Sequence, residues 1–200
     1  MKCGLRLILA SCSPRRKSLL ESAGISPFVV PPDVEEDSPS GSLPPWELVR
    51  SLAKKKVLAV ASRFPQDLVL GGDTIVFIDG MVLGKPKDED DARATLRRIA
   101  GRTHWVYTGV ALYEPGSGTV LDDHDETAVT IRALDDQEID WYVRTGEPMD
   151  KAGSYALQGI GGLFVTRVEG DFTGVVGLPL PKVYDLLRRA GVRADQLIVS

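Results

Sequence analysis

The chain has 200 residues, 43% of them hydrophobic and 26% charged, enough to bury a proper core and too apolar for long disorder. Its net charge of −4 argues against a protein whose main task is gripping a nucleic-acid backbone, and no run approaches the roughly 18 apolar residues that cross a bilayer. Cys3 and Cys12 are too few for a disulfide scaffold or a thiolate metal site, so a reduced, cytoplasmic setting is expected.

In chain order, LILA (Leu7 to Ala10) reads as a buried strand. The run is too short for a signal peptide and leads into SPRRK, not into a small-residue cleavage site. A Ser-Cys-Ser turn follows, Pro14 stands at a first helical position, and Leu19, Leu20 and Ala23 make one helical face up to Gly24. Arg15 and Arg16 then occupy the first turn, where unpaired backbone N–H groups already make the helix end positive. PPDVEEDSPSGSLPP is an acidic Pro/Ser-rich loop, and Trp46 to Ala61 is a helix with Leu48, Val49, Leu52 and Ala53 facing inward and Arg50, Lys54 and Lys55 outward.

Next, Asp79-Gly80 between TIVFI and MVLGK is a hairpin signal, because a type I′ turn needs positive φ at both central residues. Asp88 caps a helix running to about Ala100, with Ala92, Leu96 and Ile99 on one face and a stop at Gly101. HWVYTGVALYEP and TVLDDHDETAVTIR flank GSG as an antiparallel pair. LDDQE opens a short helix through Tyr142 or Val143, Gly153 to Gly162 is a glycine-punctuated loop, GLFVTRVEGD is a strand into a turn, and Pro181 to Ala190 is the last helix. Strands, helices and hairpins in this mixture predict an α/β fold on an elongated mixed sheet with flanking helices, not a doubly wound all-parallel one.

Two phosphate motifs fail on inspection. GMVLGKP has three residues between its glycines where a P-loop has four, and Pro86 stands in place of the magnesium-binding Ser/Thr. GIGGLF lacks G-x-G-x-x-G spacing. His104 and His124 are too scattered for a metal motif or a triad and read as surface or strand residues.

Two oddities remain. Arg15 and Arg16 lie where a strand end meets a helix start, a natural anion site to which the serines add donors; the alternative is solvation or pairing with Glu35, Glu36 or Asp37. Asp73, a carboxylate between LVLGG and TIVFI, is costly unless paired, hydrogen-bonded or metal-bound. It fits a metal ligand or general base at a strand end, or a structural aspartate capping a bulge. Lys85, between Gly84 and Pro86, could reach back toward the same place.

SCSPRRKSLLESAGI, VEED, LAKKKV, GGDTIV with the GKP after it, GRTHWVYTGV, DKAGSYALQGIGG and VVGLPL stand in the order seen in the Maf family of nucleoside triphosphate pyrophosphatases, also described as septum-formation inhibitors. The resemblance covers essentially the whole chain. It implies one Maf-like domain over residues 1–200, with two lobes around a cleft as in inosine triphosphate pyrophosphatases, and a homodimer. It also implies cleavage between the α and β phosphates with a divalent cation, Mg2+ or Mn2+. A non-catalytic nucleotide-binding regulator of septum formation is the alternative.

By the same resemblance Asp73 is the proton acceptor, while Arg16, Lys56 and Lys85 neutralise phosphate charge. Ser13 belongs to the anion-binding turn. Glu36, with Glu35 beside it, joins Asp73 at the metal. Arg15, Thr74 and Gln158 reproduce the specificity set of the branch that acts on dTTP and UTP; a Gln offers a donor and an acceptor to the imide edge of uracil or thymine. Gly72 and Gly174 depart from the residues usual at their positions.

Overall fold

The computed structural model describes residues 6–34 and 43–197. The chain runs β1 (Leu7–Ala10), α1 (Pro14–Ser22), β2 (Phe28–Val29), α2 (Pro45–Ala61), β3 (Leu68–Ile78), β4 (Met81–Leu83), α3 (Glu89–Ile99), β5 (Thr103–Tyr113), β6 (Val120–Ile131), α4 (Asp136–Arg144), β7 (Val165–Glu169), α5 (Phe172–Val176) and α6 (Leu180–Arg189). Seven strands form one sheet in the order β2-β1-β3-β5-β6-β7, with β4 beside β3. It is mixed as expected: β1 is parallel to β2 and β3, whereas β3/β4 and β6/β7 are antiparallel. Among the described residues no helix is long and apolar enough to cross a membrane.

Local chemistry sets most of these elements. Asp79 and Gly80 both take positive φ, +52° and +77°, and the hairpin closes as a type I′ turn requires. Asp88 accepts from the Asp91 N–H to start α3, and Asp135 with Glu138 forms a capping box for α4. The glycine-rich stretch Ile160–Phe164 is a 3₁₀ turn, so β7 starts later than the GLFVTRVEGD pattern suggests; α5 and the two-residue β2 are too short to leave a periodic signal.

The chain divides into two compact units, residues 1–73, 108–125 and 177–200, and residues 74–107 and 126–176. The first has a core of Ile8, Ala10, Val57, Val60, Val69 and Ala111. In it α2 lies directly on β5. A Cβ added at Gly109 would overlap the carbonyl of Val49 and stand 2.7 Å from the Arg50 nitrogen, so only glycine admits the helix this close. Arg50 and Lys54, expected to face outward, instead pair with the largely buried Asp122, Lys54 at 2.6 Å. The core of the second unit contains Leu96, Ile99, Val129, Ile139, Tyr142 and Phe164.

Candidate active site

In the first unit β1 ends at Ala10, opposite Gly71 of β3, and the chain turns through Ser11-Cys12-Ser13 into α1. The Ser13 N–H donates to Ser11 Oγ (3.1 Å), and Ser13 Oγ caps the helix by accepting from the Arg16 N–H at 3.5 Å. Arg16 turns back over this loop. Its Nε donates to the Gly177 carbonyl (2.7 Å) and its Nη1 to Ser11 Oγ (3.2 Å). Those oxygens offset a cation at a positive helix end. Both serines accept here, so each retains its hydroxyl proton as a donor. Arg15 is half-buried on the same turn. The acidic residues proposed as arginine partners, Glu35, Glu36 and Asp37, lie outside the described residues.

Asp73 stands inside β3, not at a strand end. The β1 ladder stops at Gly71 and the β4 ladder begins at Val76, so the carboxylate falls between the two paired stretches. Its partner is Lys56 of α2: Nζ lies 2.6 Å from Oδ1, and the side chains are only 10% and 14% exposed. An ion pair this sheltered answers the cost of placing Asp73 between apolar runs. Gly72, the residue before it, presents the opposite face of the strand. A Cβ there would stand 3.1 Å from the Gly109 carbonyl, tighter than an ordinary contact, and 3.5 Å from Arg16 Nε, an ordinary one, so the glycine, unexpected at this position, eases the approach of the β5 backbone.

Ser13, Arg15, Arg16, Lys56 and Asp73 thus gather in one unit, and Thr74, Lys85 and Gln158 belong to the other. Thr74 is half-buried on β3, Lys85 is exposed just after β4, and Gln158 is exposed on the loop before Ile160. Their segments are tied together: the Gly153 N–H donates to the Gly84 carbonyl at 3.1 Å, and Gly153 packs on Val76. Close by, His104 is fully buried on β5 with Nε2 2.8 Å from the Tyr155 hydroxyl, and burial pushes its pKa down to about 4. His104 Nδ1 and Ser154 Oγ have no partner among the described residues.

Sequence reasoning missed Glu147. Its Oε1 accepts from the Tyr142 hydroxyl (2.8 Å) and the Gly161 N–H (2.9 Å), and its Oε2 accepts from the Ile160 N–H (3.0 Å). Burial alone would raise this carboxyl, but the two N–H groups and the hydroxyl outweigh it and hold it below the usual carboxylate range. Nothing in GEPMD marks such an anchor; the available hint is a glycine-rich loop that must find partners for its N–H groups.

For a divalent cation, Asp73 supplies a hard oxygen of the right kind, while Glu36 lies outside the described residues. Among the described residues no three His, Cys, Asp or Glu side chains form a metal-holding group. Magnesium sites on polyphosphates typically use one or two carboxylates with phosphate oxygens completing the shell, and Asp73 fits that pattern.

The family model described as Maf-like protein matches residues 6–190. This chain belongs to the Maf family. A Dictyoglomus turgidum relative named dTTP/UTP pyrophosphatase is 47% identical over 185 residues, 92% of this chain and 96% of the relative. An Anaeromyxobacter dehalogenans protein of the same name is 50% identical over 188 residues, 93% and 94% of the two chains. Among solved structures, the Staphylococcus aureus Ham1 protein overlaps 63% of this Maf chain and 71% of its own, with a TM-score of 0.45 and 14% identity.

Proposed function

We propose that this Maf protein hydrolyses dTTP and UTP to the nucleoside monophosphate and pyrophosphate. The observation that carries the chemistry is the sheltered Lys56–Asp73 pair. It holds a carboxylate and a cation together at 2.6 Å, both largely screened from water. The pyrimidine preference is supported by Arg15, Thr74 and Gln158 and by the printed names of the relatives.

In this reading the Asp73 oxygen not held by Lys56 takes a proton from the attacking water, whose oxygen adds to the α-phosphorus. The α–β bridging oxygen leaves with pyrophosphate. Arg15, Arg16, Lys56 and Lys85 neutralise the phosphate charge, and the Ser11 and Ser13 hydroxyls donate to phosphate oxygens. Asp73 and Glu36 would hold Mg2+ or Mn2+, which when bound would supply further charge neutralisation. No covalent intermediate is needed, and Cys12, an exposed free thiol, has no part in it. A non-catalytic regulator would have no use for the Asp73 base. The proposal includes a homodimer in the cytoplasm and a house-cleaning role linked to cell division, supported by the family resemblance; sedimentation of the purified chain tests the dimer.

The deciding experiment measures pyrophosphate release from dTTP, UTP, CTP, GTP and 7-methyl-GTP with and without magnesium. Metal-dependent release strongest with dTTP and UTP is expected. If no triphosphate is cleaved above background, the enzymatic reading fails; if 7-methyl-GTP is best, the pyrimidine assignment alone fails.

A further inference from the structure

The loop that carries Gln158 is held at both ends by one pair of side chains. The Ala156 N–H, before Gln158, donates to the Tyr142 hydroxyl at 3.2 Å, and that hydroxyl donates onward to Glu147. After Gln158, the Ile160 and Gly161 N–H groups donate to the same carboxylate. Burial raises the Tyr142 pKa, which keeps its proton available to Glu147.

The glycines of the loop fit this wiring. Gly159 has φ +134° and ψ −156°, a region that side chains oppose, and a Cβ there would come within 2.5 Å of Glu147 Oε2. A Cβ at Gly161 would meet the Tyr142 hydroxyl at 2.5 Å. Bare backbone is therefore drawn onto the carboxylate and the phenol, and the side chain of Gln158 is left exposed at the tip. Three charge-assisted or relayed N–H bonds over six residues, 156 to 161, confine a segment that would otherwise sample many conformations.

We infer that Glu147, acting with Tyr142, is the positioning residue for base recognition: it sets the loop so that Gln158 meets the pyrimidine edge in one orientation. The inference rests on the reading of Gln158 as the base-recognising residue. Glu147 touches no substrate in this scheme. Its effect therefore falls on selectivity and KM, not on the phosphate chemistry.

The test compares kcat/KM for UTP and CTP, and inhibition by inorganic pyrophosphate, in wild type, Glu147→Gln, Gln158→Ala and the double variant. In Glu147→Gln an amide NH2 faces backbone N–H donors. UTP-over-CTP selectivity should fall about tenfold, the size of one lost charge-assisted hydrogen bond, mainly through KM. Inhibition by pyrophosphate should be unchanged, and the double variant should be no less selective than Gln158→Ala alone. Tyr142→Phe, which keeps every backbone donor, should move selectivity the same way and carries the test if Glu147→Gln does not fold. Retained selectivity in Glu147→Gln, additive losses, or a parallel loss of pyrophosphate inhibition overturns the inference alone. A wild type without preference for UTP overturns it together with the pyrimidine assignment.

Discussion

Arg16 and Lys56 in the first unit are held by side-chain contacts of their own, to the Gly177 carbonyl and to Asp73. Gln158 in the second stands on a loop whose anchors all belong to its neighbours, Tyr142, Glu147 and the backbone of Ala156, Ile160 and Gly161. Charge neutralisation needs cations and a carboxylate that are themselves paired and sheltered, because a buried unpaired charge is costly. Reading a base edge needs an exposed side chain at the right angle, and that precision must come from the backbone beneath it. In the one region a substitution is felt as lost charge; in the other it is felt as lost geometry.

The largest effect that tests this contrast is at Asp73. Asp73→Asn keeps the shape and an oxygen for Lys56 but removes the proton acceptor, and should lower kcat by about 10²–10⁴-fold on dTTP and UTP alike. Pyrophosphate release measures it, and near-wild-type turnover would remove Asp73 from the chemistry.

Next is the packing that brings Lys56 to Asp73. Gly109→Ala puts a methyl into the backbone of α2 at Val49 and should cost roughly 3 kcal/mol in thermal unfolding. Gly84→Ala, where a methyl meets nothing within 4 Å, is the control and should leave stability within about 0.5 kcal/mol. Equal melting temperatures for the two variants would show that α2 has slack against β5.

His104 in the second unit offers a pH test. Its folded pKa is lowered to about 4, whereas the unfolded side chain titrates near 6.5, so the unfolded chain binds more protons between those values. Stability is therefore full above pH 6.5 and falls as pH drops, by about 2 kcal/mol between pH 7 and 5. Denaturant unfolding across that range should show a slope that is absent in His104→Gln, and an identical slope in both would assign it to other groups. The smallest effect expected is at the loop tip: Gln158→Glu should reduce kcat/KM for dTTP and UTP about tenfold by replacing a donor with a second acceptor. Unchanged preference would take Gln158 out of base recognition.

Much of the fold was legible because its signals are local. The Asp79-Gly80 pair needs only its own φ angles to make a hairpin, Asp88 needs only the N–H of Asp91 to start a helix, and the Asp135 capping box spans four residues. The arginine pair and Asp73 stood out for the opposite reason, as charges where local physics opposes them. Their neighbours were not legible: Arg16 meets a carbonyl 161 positions away, and Asp73 meets Lys56 on a helix whose cations were read as facing outward or as serving phosphate.

The amino-acid sequence by itself determined which stretches become helices, strands and turns, the mixed character of the sheet, the family, and the residue types available for phosphate and base. Caps, turns and hydrophobic periods act over a few residues, so they can be read without coordinates. Only the tertiary structure decided that Lys56 pairs with Asp73, that Gly109 is the gap through which α2 approaches the sheet, and that Glu147 gathers the Gln158 loop. Those depend on which distant backbone atoms come within about 3 Å of one another, a distance set by packing and not by any local motif.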